Sequence, residues 1–201
     1  MAIVNGYCTL AEAKDALGIT DSSSDTTIEN LITAASRMID GHTERYFFTQ
    51  SQTRIYETRD PFTVAIDDLV SVTTLSTDDG ADNTYSTTWS ASDYLLDPPN
   101  AALESPAKPY TRITSPVYSS KVFPMYVANG VKVIGVFGWP AVPAAVKQAA
   151  ILQTTNLFSA RNAPFGVIGT GDTGVFRMSS RLHPAAAALL EPYRRRRGLA
   201  G

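Results

Sequence analysis

The sequence is short of the residue types from which disulfide frameworks, metal sites and nucleophile pairs are built. It contains one cysteine, Cys8, and two histidines, His42 and His183. A single thiol cannot form an intramolecular disulfide, which fits a reducing compartment. Neither histidine belongs to a His-x-x-His, His-Glu-x-x-His or Cys-x-x-Cys pattern, so we expect no metal site and no cofactor.

Charged side chains are scarce as well, and neither sign dominates. They make up 18% of the chain, with 17 lysines and arginines against 19 acidic residues, and the formal net charge is -2. This balance argues against a domain whose whole surface binds nucleic acid. Two interpretations of the weakly charged surface stay open: neighbouring subunits cover it, or it is an ordinary surface rich in Ser and Thr.

Long apolar runs and a secretory signal are also lacking. No window approaches the roughly 20 consecutive apolar residues that span a bilayer. Residues 1–5 carry no basic segment ahead of an apolar stretch, so we expect no signal peptide. The apolar share is nonetheless 44%, which is enough for a hydrophobic core.

The common catalytic motifs are missing. There is no Gly-x-Ser-x-Gly elbow, and no neighbouring motif identifies Cys8 or His42 as a nucleophile or base. The acidic pairs Asp67–Asp68 and Asp78–Asp79 lack calcium-loop spacing and are interpreted as turn residues. Four glycines suggest a phosphate loop, but neither Lys-Ser/Thr nor a helix directly follows them: Gly166, Gly169, Gly171 and Gly174. We therefore predict that the chain is not an enzyme.

Two capping boxes predict two N-terminal helices. In the first, Thr9 and Glu12 have the spacing for reciprocal side-chain bonds, and Gly18 supplies a left-handed stop. In the second, Thr26 and Glu29 have the same spacing. Apolar residues behind it recur at three- and four-residue steps and predict a helix of about five turns that ends near residues 46–48. They are Ile28, Leu31, Ile32, Ala35, Met38 and Ile39.

The middle of the chain changes to a strand-forming pattern. It is rich in Thr, Val, Tyr and Ser and is broken by Asp, Gly, Asn and Pro. Val131–Phe137 is so continuously apolar that we expect both faces of that strand to be covered. The candidate strands are Thr53–Glu57, Phe62–Ile66, Val70–Leu75, Tyr94–Leu96, Thr111–Thr114 and Val131–Phe137.

The C-terminal part predicts a long helix, an arm and a short helix. Pro143 suits the first turn of the long helix because its missing amide is harmless there. The Gly-rich stretch from Pro164 to Arg181 is long for a loop, and such loops are usually functional or ordered by a partner. Pro184 then opens a short Ala-rich helix, Ala185–Glu191.

Together these segments predict an α+β fold. We expect a helical bundle base of about three main helices plus a short C-terminal helix, with a β-rich insertion between the second and third helices. The expected boundaries are 1–52 for the N-terminal helical part, 53–137 for the insertion, 138–163 for the third helix and 164–201 for the arm, docking helix and tail.

Four consecutive arginines lie close to the C-terminal end of the sequence, and they allow two interpretations. One is a solvated tail, which is the usual outcome for a charge run. The other is a docking element that pairs with acidic groups of a partner protein or with DNA. If the docking partner is DNA, the chain would be a DNA-binding packaging accessory protein that uses the arginine run.

Three blocks of the sequence resemble the head–tail connector (adaptor) proteins of tailed bacteriophages. The first resembles the start of those proteins, the second their second helix, and the third their last strand and third helix. The blocks are Cys8–Lys14 with Leu17–Ile19 and Asp25; Ile28–Ser36 with Met38–Asp40 and Thr43–Phe47; and Val136–Trp139 with Val142–Ala149.

The resemblance implies a structural subunit of a homo-oligomeric ring, usually a dodecamer, in the neck of a tailed phage. Such a ring binds the portal protein on one face and a stopper or tail completion protein on the other. Double-stranded DNA passes through its channel, and no membrane is involved. The subunit would be found in the host cytoplasm during assembly and in the virion afterwards.

The resemblance also implies where the two kinds of contact lie. Portal docking would use the segment around Leu182–Arg197, and the ring interface would use polar residues off the apolar stripe of the second helix. The candidate docking residues are Leu189, Leu190, Tyr193, Arg194, Arg195, Arg196 and Arg197. The candidate ring-interface residues are Arg37, Glu44 and Arg45.

Overall fold

The chain forms two compact units. The computed structural model describes residues 3–161, 167–168, 176–177 and 182–195. One unit combines Met1–Arg45 with Val142–Gly201 and contains the α-helices, and the other, Tyr46–Ala141, contains an antiparallel sheet. The prediction of a mixed helix and strand fold is therefore confirmed.

Helix α1, Leu10–Leu17, begins and ends as its sequence predicts. Thr9 Oγ1 accepts the Glu12 amide at 3.2 Å, and the Thr9 amide donates to Glu12 Oε2 at 2.8 Å. These two bonds satisfy amides that a helix N-terminus leaves without partners. At the other end Gly18 has a φ of 67°, a left-handed conformation that glycine adopts without steric cost.

Helix α2, Asp25–Thr43, begins differently from its prediction. Its N-cap is Ser24, which makes no side-chain cap bond, and Thr26 lies inside the first turn. The predicted second capping box is therefore wrong. The Asp25 carboxylate instead lies 2.6 Å from Lys14 Nζ, which connects the start of α2 to α1.

Helix α2 also ends earlier than predicted, before residues 46–48. Glu44 takes a left-handed φ of 54°, and its amide donates to the Asp40 carbonyl at 2.8 Å. This conformation stops the helix although the residue is not glycine. The apolar stripe of α2 faces the core as predicted, and its fully buried members are Ile28, Ile32, Ala35 and Ile39.

Helices α3, Ala144–Arg161, and α4, Pro184–Leu190, complete the first unit. Pro143 precedes α3, and its carbonyl accepts the Lys147 amide at 2.9 Å. α3 packs against α2, and α4 packs against α3. A 3₁₀ turn, Glu191–Tyr193, continues α4.

The second unit is one six-stranded sheet. Its strand order is β1-β6-β2-β5-β4, every neighbour is antiparallel, and β3 pairs with β2 outside this path. The strands are β1 (Gln50–Tyr56), β2 (Thr63–Thr77), β3 (Thr87–Trp89), β4 (Leu95–Asp97), β5 (Tyr110–Thr114) and β6 (Val131–Phe137).

Strand β2 joins two segments that the sequence pattern separates. Asp67–Asp68, predicted to be turn residues, lie inside this strand, where its register against β5 shifts between Ala65 and Leu69. An irregularity of this kind bends a strand without ending it. The predicted turn at Asp67–Asp68 is therefore wrong, whereas Asp78–Asp79 follow the end of β2 as expected.

One face of the sheet forms the core of the second unit. The strand β3, which the sequence analysis does not predict, places Trp89 on Phe123 with ring centroids 4.5 Å apart. On the other face, Ile134 of β6 is 37% exposed, so the expectation that both faces of β6 are covered is wrong. The core residues are Val64, Ile66, Leu69, Leu75, Trp89, Ile113, Phe123, Val131, Val133 and Phe137.

In the Gly-rich arm, the structure describes one short pair of antiparallel strands. Strand β7, Val167–Ile168, pairs with β8, Phe176–Arg177. The four glycines of the rejected phosphate loop lie outside the described residues, as do Arg196 and Arg197. They are Gly166, Gly169, Gly171 and Gly174.

Candidate assembly interface

Arg37, a predicted ring-interface residue, holds the N-terminal segment against α2. Its Nη2 donates to the Asn5 carbonyl at 2.9 Å, and its guanidinium carbon lies 5.7 Å from the centre of the Tyr7 ring. Its Nε lies 2.9 Å from Asp40 Oδ2. The side chain is still 40% exposed, so Arg37 can contact a neighbour while it anchors its own chain.

Asp40 is the buried centre of this cluster. The Tyr7 hydroxyl donates to one carboxylate oxygen, and the Arg37 guanidinium pairs with the other. Burial raises the pKa of the Asp40 carboxyl, and the Tyr7 hydrogen bond and the Arg37 charge oppose that rise. The sequence pattern does not identify this role of Asp40.

The other two predicted ring-interface residues lie at the end of α2. Glu44 is exposed, and Arg45 is partly buried. Arg37 lies on α2, whereas Glu44 and Arg45 follow its last residue, where the left-handed Glu44 breaks the helical periodicity. The assignment of these residues to a ring interface stays a prediction.

The predicted docking residues of the C-terminal segment lie in different environments. Leu190 is fully buried, so its side chain stabilises α4 on its own unit and is not a surface contact. Leu189 and Tyr193 are partly buried. Arg194 is exposed with Nη1 3.5 Å from Glu191 Oε2, and the Arg195 amide donates to the carbonyl at the end of α2 at 2.8 Å.

A buried glutamine attaches this C-terminal segment to α3. Gln153 Oε1 accepts the His183 amide at 2.8 Å, and Gln153 Nε2 lies 3.6 Å from Met38 Sδ. His183 in turn caps α4, because its Nδ1 accepts the Ala185 amide at 3.2 Å. The sequence pattern gives neither Gln153 nor His183 this role. A histidine directly ahead of Pro184 is the signal that could have identified this cap.

The residues considered for catalysis do not converge. Cys8 is buried, and burial raises the pKa of its thiol to about 11, which disfavours the nucleophilic thiolate. His42 lies in the last turn of α2. Over the described part of the chain, no group of three His, Cys, Asp or Glu side chains is arranged to hold a metal ion. No described helix combines the length and apolar character that crossing a membrane requires.

The second unit displays an apolar surface loop between β5 and β6. The loop is fixed from inside: the Phe123 amide donates to the Pro61 carbonyl at 2.8 Å, and the Tyr126 amide donates to the Thr58 carbonyl at 3.0 Å. Its outward side chains are large and apolar, which is typical of an interaction surface. They are Val117, Tyr118, Val122, Met125 and Tyr126.

Residues 7–87 match the family model of the phage gp6-like head-tail connector protein. The resemblance to the connector family is confirmed. The matched part of the chain runs from the residues ahead of α1 to the first residue of β3. Strands β1 and β2 therefore lie within the segment that the family model describes, together with the first two helices.

Two solved structures share the fold of this chain. One is a chain in "Neck of empty GTA particle computed with C6 symmetry", with 21% identity and a TM-score of 0.62. The other is a chain in "Virion of native gene transfer agent (GTA) particle", with 22% identity and a TM-score of 0.57. Each comparison covers 100% of this chain and 96% of the other. No curated protein matches the sequence.

Proposed function

We propose that this chain is a structural subunit of a head–tail connector ring in the neck of a tailed phage or phage-like particle. The family match over residues 7–87 carries the proposal. The likeness of the whole fold to chains from gene transfer agent particles supports it. In this role the chain bridges the portal protein and a stopper or tail completion protein, and DNA passes through the ring.

The proposed ring is a closed assembly of identical copies, each using one surface to contact the next. The candidate contacts of each copy are Arg37 on α2 and Glu44 and Arg45 directly after it. A closed cyclic assembly needs two different, mutually complementary surfaces on every copy. Twelve copies agree with the sixfold symmetry applied to the related neck, because twelve is a multiple of six.

The environment of Cys8, the residue considered as a nucleophile, supports a structural role over a catalytic one. A catalytic thiol needs an electropositive, accessible setting that lowers its pKa. Cys8 is buried, and its pKa is raised to about 11. Tyr7, which precedes Cys8 in the sequence, donates a hydrogen bond to Asp40, and this bond holds the N-terminal segment in place.

Deletion of the gene in its own phage or particle-producing cell tests the proposal. We expect capsids that still package DNA but lack attached tails, and complementation with the full chain should restore tailed particles. Purified portal should retain the full chain in a pull-down, whereas a capsid shell without portal should not. Normal tailed particles from the deletion strain would overturn the proposal.

A further inference from the structure

Strand β1 is an edge of the sheet whose outer side has no partner strand among the described residues. All seven of its residues pair with β6, from Gln50 with Phe137 to Tyr56 with Val131. In an antiparallel pair, about half of the backbone amides and carbonyls of each strand point away from the partner. In the part of the chain that the structure describes, no other backbone segment is hydrogen-bonded to β1.

This edge carries few of the features that prevent a strand from pairing with another chain. Natural edges are protected by proline, by bulges, by charged side chains along the edge or by inward-pointing charges. The β1 register against β6 is uninterrupted, and the strand contains no proline. Its one charged side chain, Arg54, points inward, but it is paired there with Asp67 at 2.5 Å and lies 4.6 Å from the centre of the Phe137 ring.

The outer face beside this edge displays two isoleucines among the polar side chains of Ser51, Thr53 and Lys132. Ile55 of β1 is 48% exposed and Ile134 of β6 is 37% exposed. Ile134 is directly opposite Thr53, so the two isoleucines are diagonal neighbours on one face. A strand added beside β1 would cover more of the Ile55 side chain, whereas Ile134 lies one strand further into the sheet.

The same chain contains a strand pair that is too short to be stable alone. β7 and β8 contribute two residues each and pair with each other. Two-stranded hairpins are marginal in water, and three or more strands are needed for independent stability. In the single chain, neither of these strands pairs with β1. The outer edge of β1 therefore offers backbone hydrogen-bonding groups, and the β7–β8 pair needs a further strand for stability.

We propose that the β7–β8 hairpin of one copy adds to the β1 edge of a neighbouring copy and extends its sheet. This inference rests on the proposed function, because a ring brings identical copies side by side. The arm between α3 and α4 has about 20 residues, and at roughly 3.3 Å per residue a folded-back hairpin of that length reaches about 30 Å. That reach is about the diameter of a small domain. Strand β4 of a neighbour, which ends the other side of the strand path, is the competing occupant, and crosslinking distinguishes it from the arm.

Hydrogen exchange of the full chain, free and in isolated necks, tests the pairing. We expect the outward amides of residues 50–56 to exchange at least about 100-fold more slowly in the ring, because hydrogen-bonded strand amides exchange only on opening. Amides of β6, which is paired on both sides, should be slow in both states. A chain with residues 166–177 replaced by a Gly-Ser linker of equal length should enter rings without protecting β1.

Photocrosslinking identifies the segment that covers the edge and the copy that supplies it. Benzoylphenylalanine in place of Thr53, in necks assembled from light and heavy isotope-labelled chains, should give light–heavy crosslinks to residues 162–181. The same group in place of Val117, which is 99% exposed in the β5–β6 loop, is the control and should not crosslink to that arm.

The outcomes separate this inference from the proposed function. Rings in which residues 50–56 exchange as quickly as in the free chain overturn the pairing and leave the neck role intact. Crosslinks from position 53 to β4, or within one isotope label, also overturn it. Absence of the chain from particle necks overturns the proposed function and the pairing together.

Discussion

Gln153 Oε1 accepts the backbone amide of His183 at 2.8 Å, and this bond connects the middle of α3 to the cap of α4. Gln153 is fully buried. The C-terminal segment is therefore positioned by its own unit before any partner binds. The predicted docking residues that the structure describes, Leu189, Leu190 and Tyr193–Arg195, lie on this segment, and their contacts depend on its stability.

Gln153→Ala should loosen the C-terminal segment. The substitution leaves the His183 amide without its acceptor, and losing a buried hydrogen-bond partner costs about 1–3 kcal/mol. We expect a lower free energy of unfolding in urea and faster hydrogen exchange over residues 183–195. Gln148→Ala on the exposed side of α3 is the control and should change neither quantity. Equal effects of both substitutions would contradict this role of Gln153.

Alanine substitutions at Leu189 and Leu190 should have separate effects, one on portal binding and the other on the free energy of unfolding. Leu190→Ala empties a fully buried position and should lower the free energy of unfolding by about 2–5 kcal/mol. Leu189→Ala, at a partly buried position, should cost much less stability but should weaken retention by immobilised portal. Undiminished portal binding by the Leu189 variant would remove Leu189 from the docking surface.

Gly138→Ala should prevent the second unit from folding normally. Gly138 has a φ of 113°, and a Cβ there would lie 1.8 Å from the Phe48 carbonyl oxygen. Gly41→Ala is the matched control because its Cβ meets open space in the interior of α2. That substitution should raise stability by about 0.5–1 kcal/mol. Thermal unfolding monitored by circular dichroism measures both, and a Gly138 variant with the native midpoint would refute the clash.

Asp40 should make stability depend on pH in the acid range. Burial raises its folded-state pKa above the unfolded value of about 3.9. Its contribution to stability is therefore full below the unfolded pKa and is lost as pH rises through the folded pKa. Asp40→Asn keeps an oxygen for the Tyr7 hydroxyl and removes this titration.

Urea unfolding from about pH 3 to pH 7 measures the effect of Asp40. The stability of the native chain relative to the Asp40→Asn variant should decrease as pH rises. Asp15→Asn on the exposed surface of α1 is the control and should give a smaller, flatter difference. A difference that grows with pH would show that the carboxylate form of Asp40 is the favoured one.

Local signals in the sequence predicted the parts of the fold that local interactions determine. The capping box of Thr9 and Glu12 and the stop at Gly18 depend on residues close in sequence, and both are present. The bounds of β6 also agree with the prediction, because a turn signal at Asn129-Gly130 precedes a Val-rich segment that only Lys132 and Gly135 interrupt. The family resemblance depended on such short blocks and is supported by the match over residues 7–87.

Distant contacts determine the features that the sequence pattern missed. Strand β3 has three residues and depends on the stacking of Trp89 on Phe123, far along the chain. Asp68 lies inside a strand because its Oδ2 accepts Trp139 Nε1 at 3.1 Å, a bond that spans 71 residues. The burial of Leu190 likewise follows from packing against other helices, and a short Ala-rich segment does not reveal it.

A cryo-EM reconstruction of the neck of the parent particle tests the central claim most directly. The account predicts a ring of density directly beneath the portal into which copies of this chain fit, with helices α1 to α4 and the six-stranded sheet each resolved. A neck reconstructed at side-chain resolution from tailed, DNA-filled particles, with every ring assigned to other proteins, would contradict it.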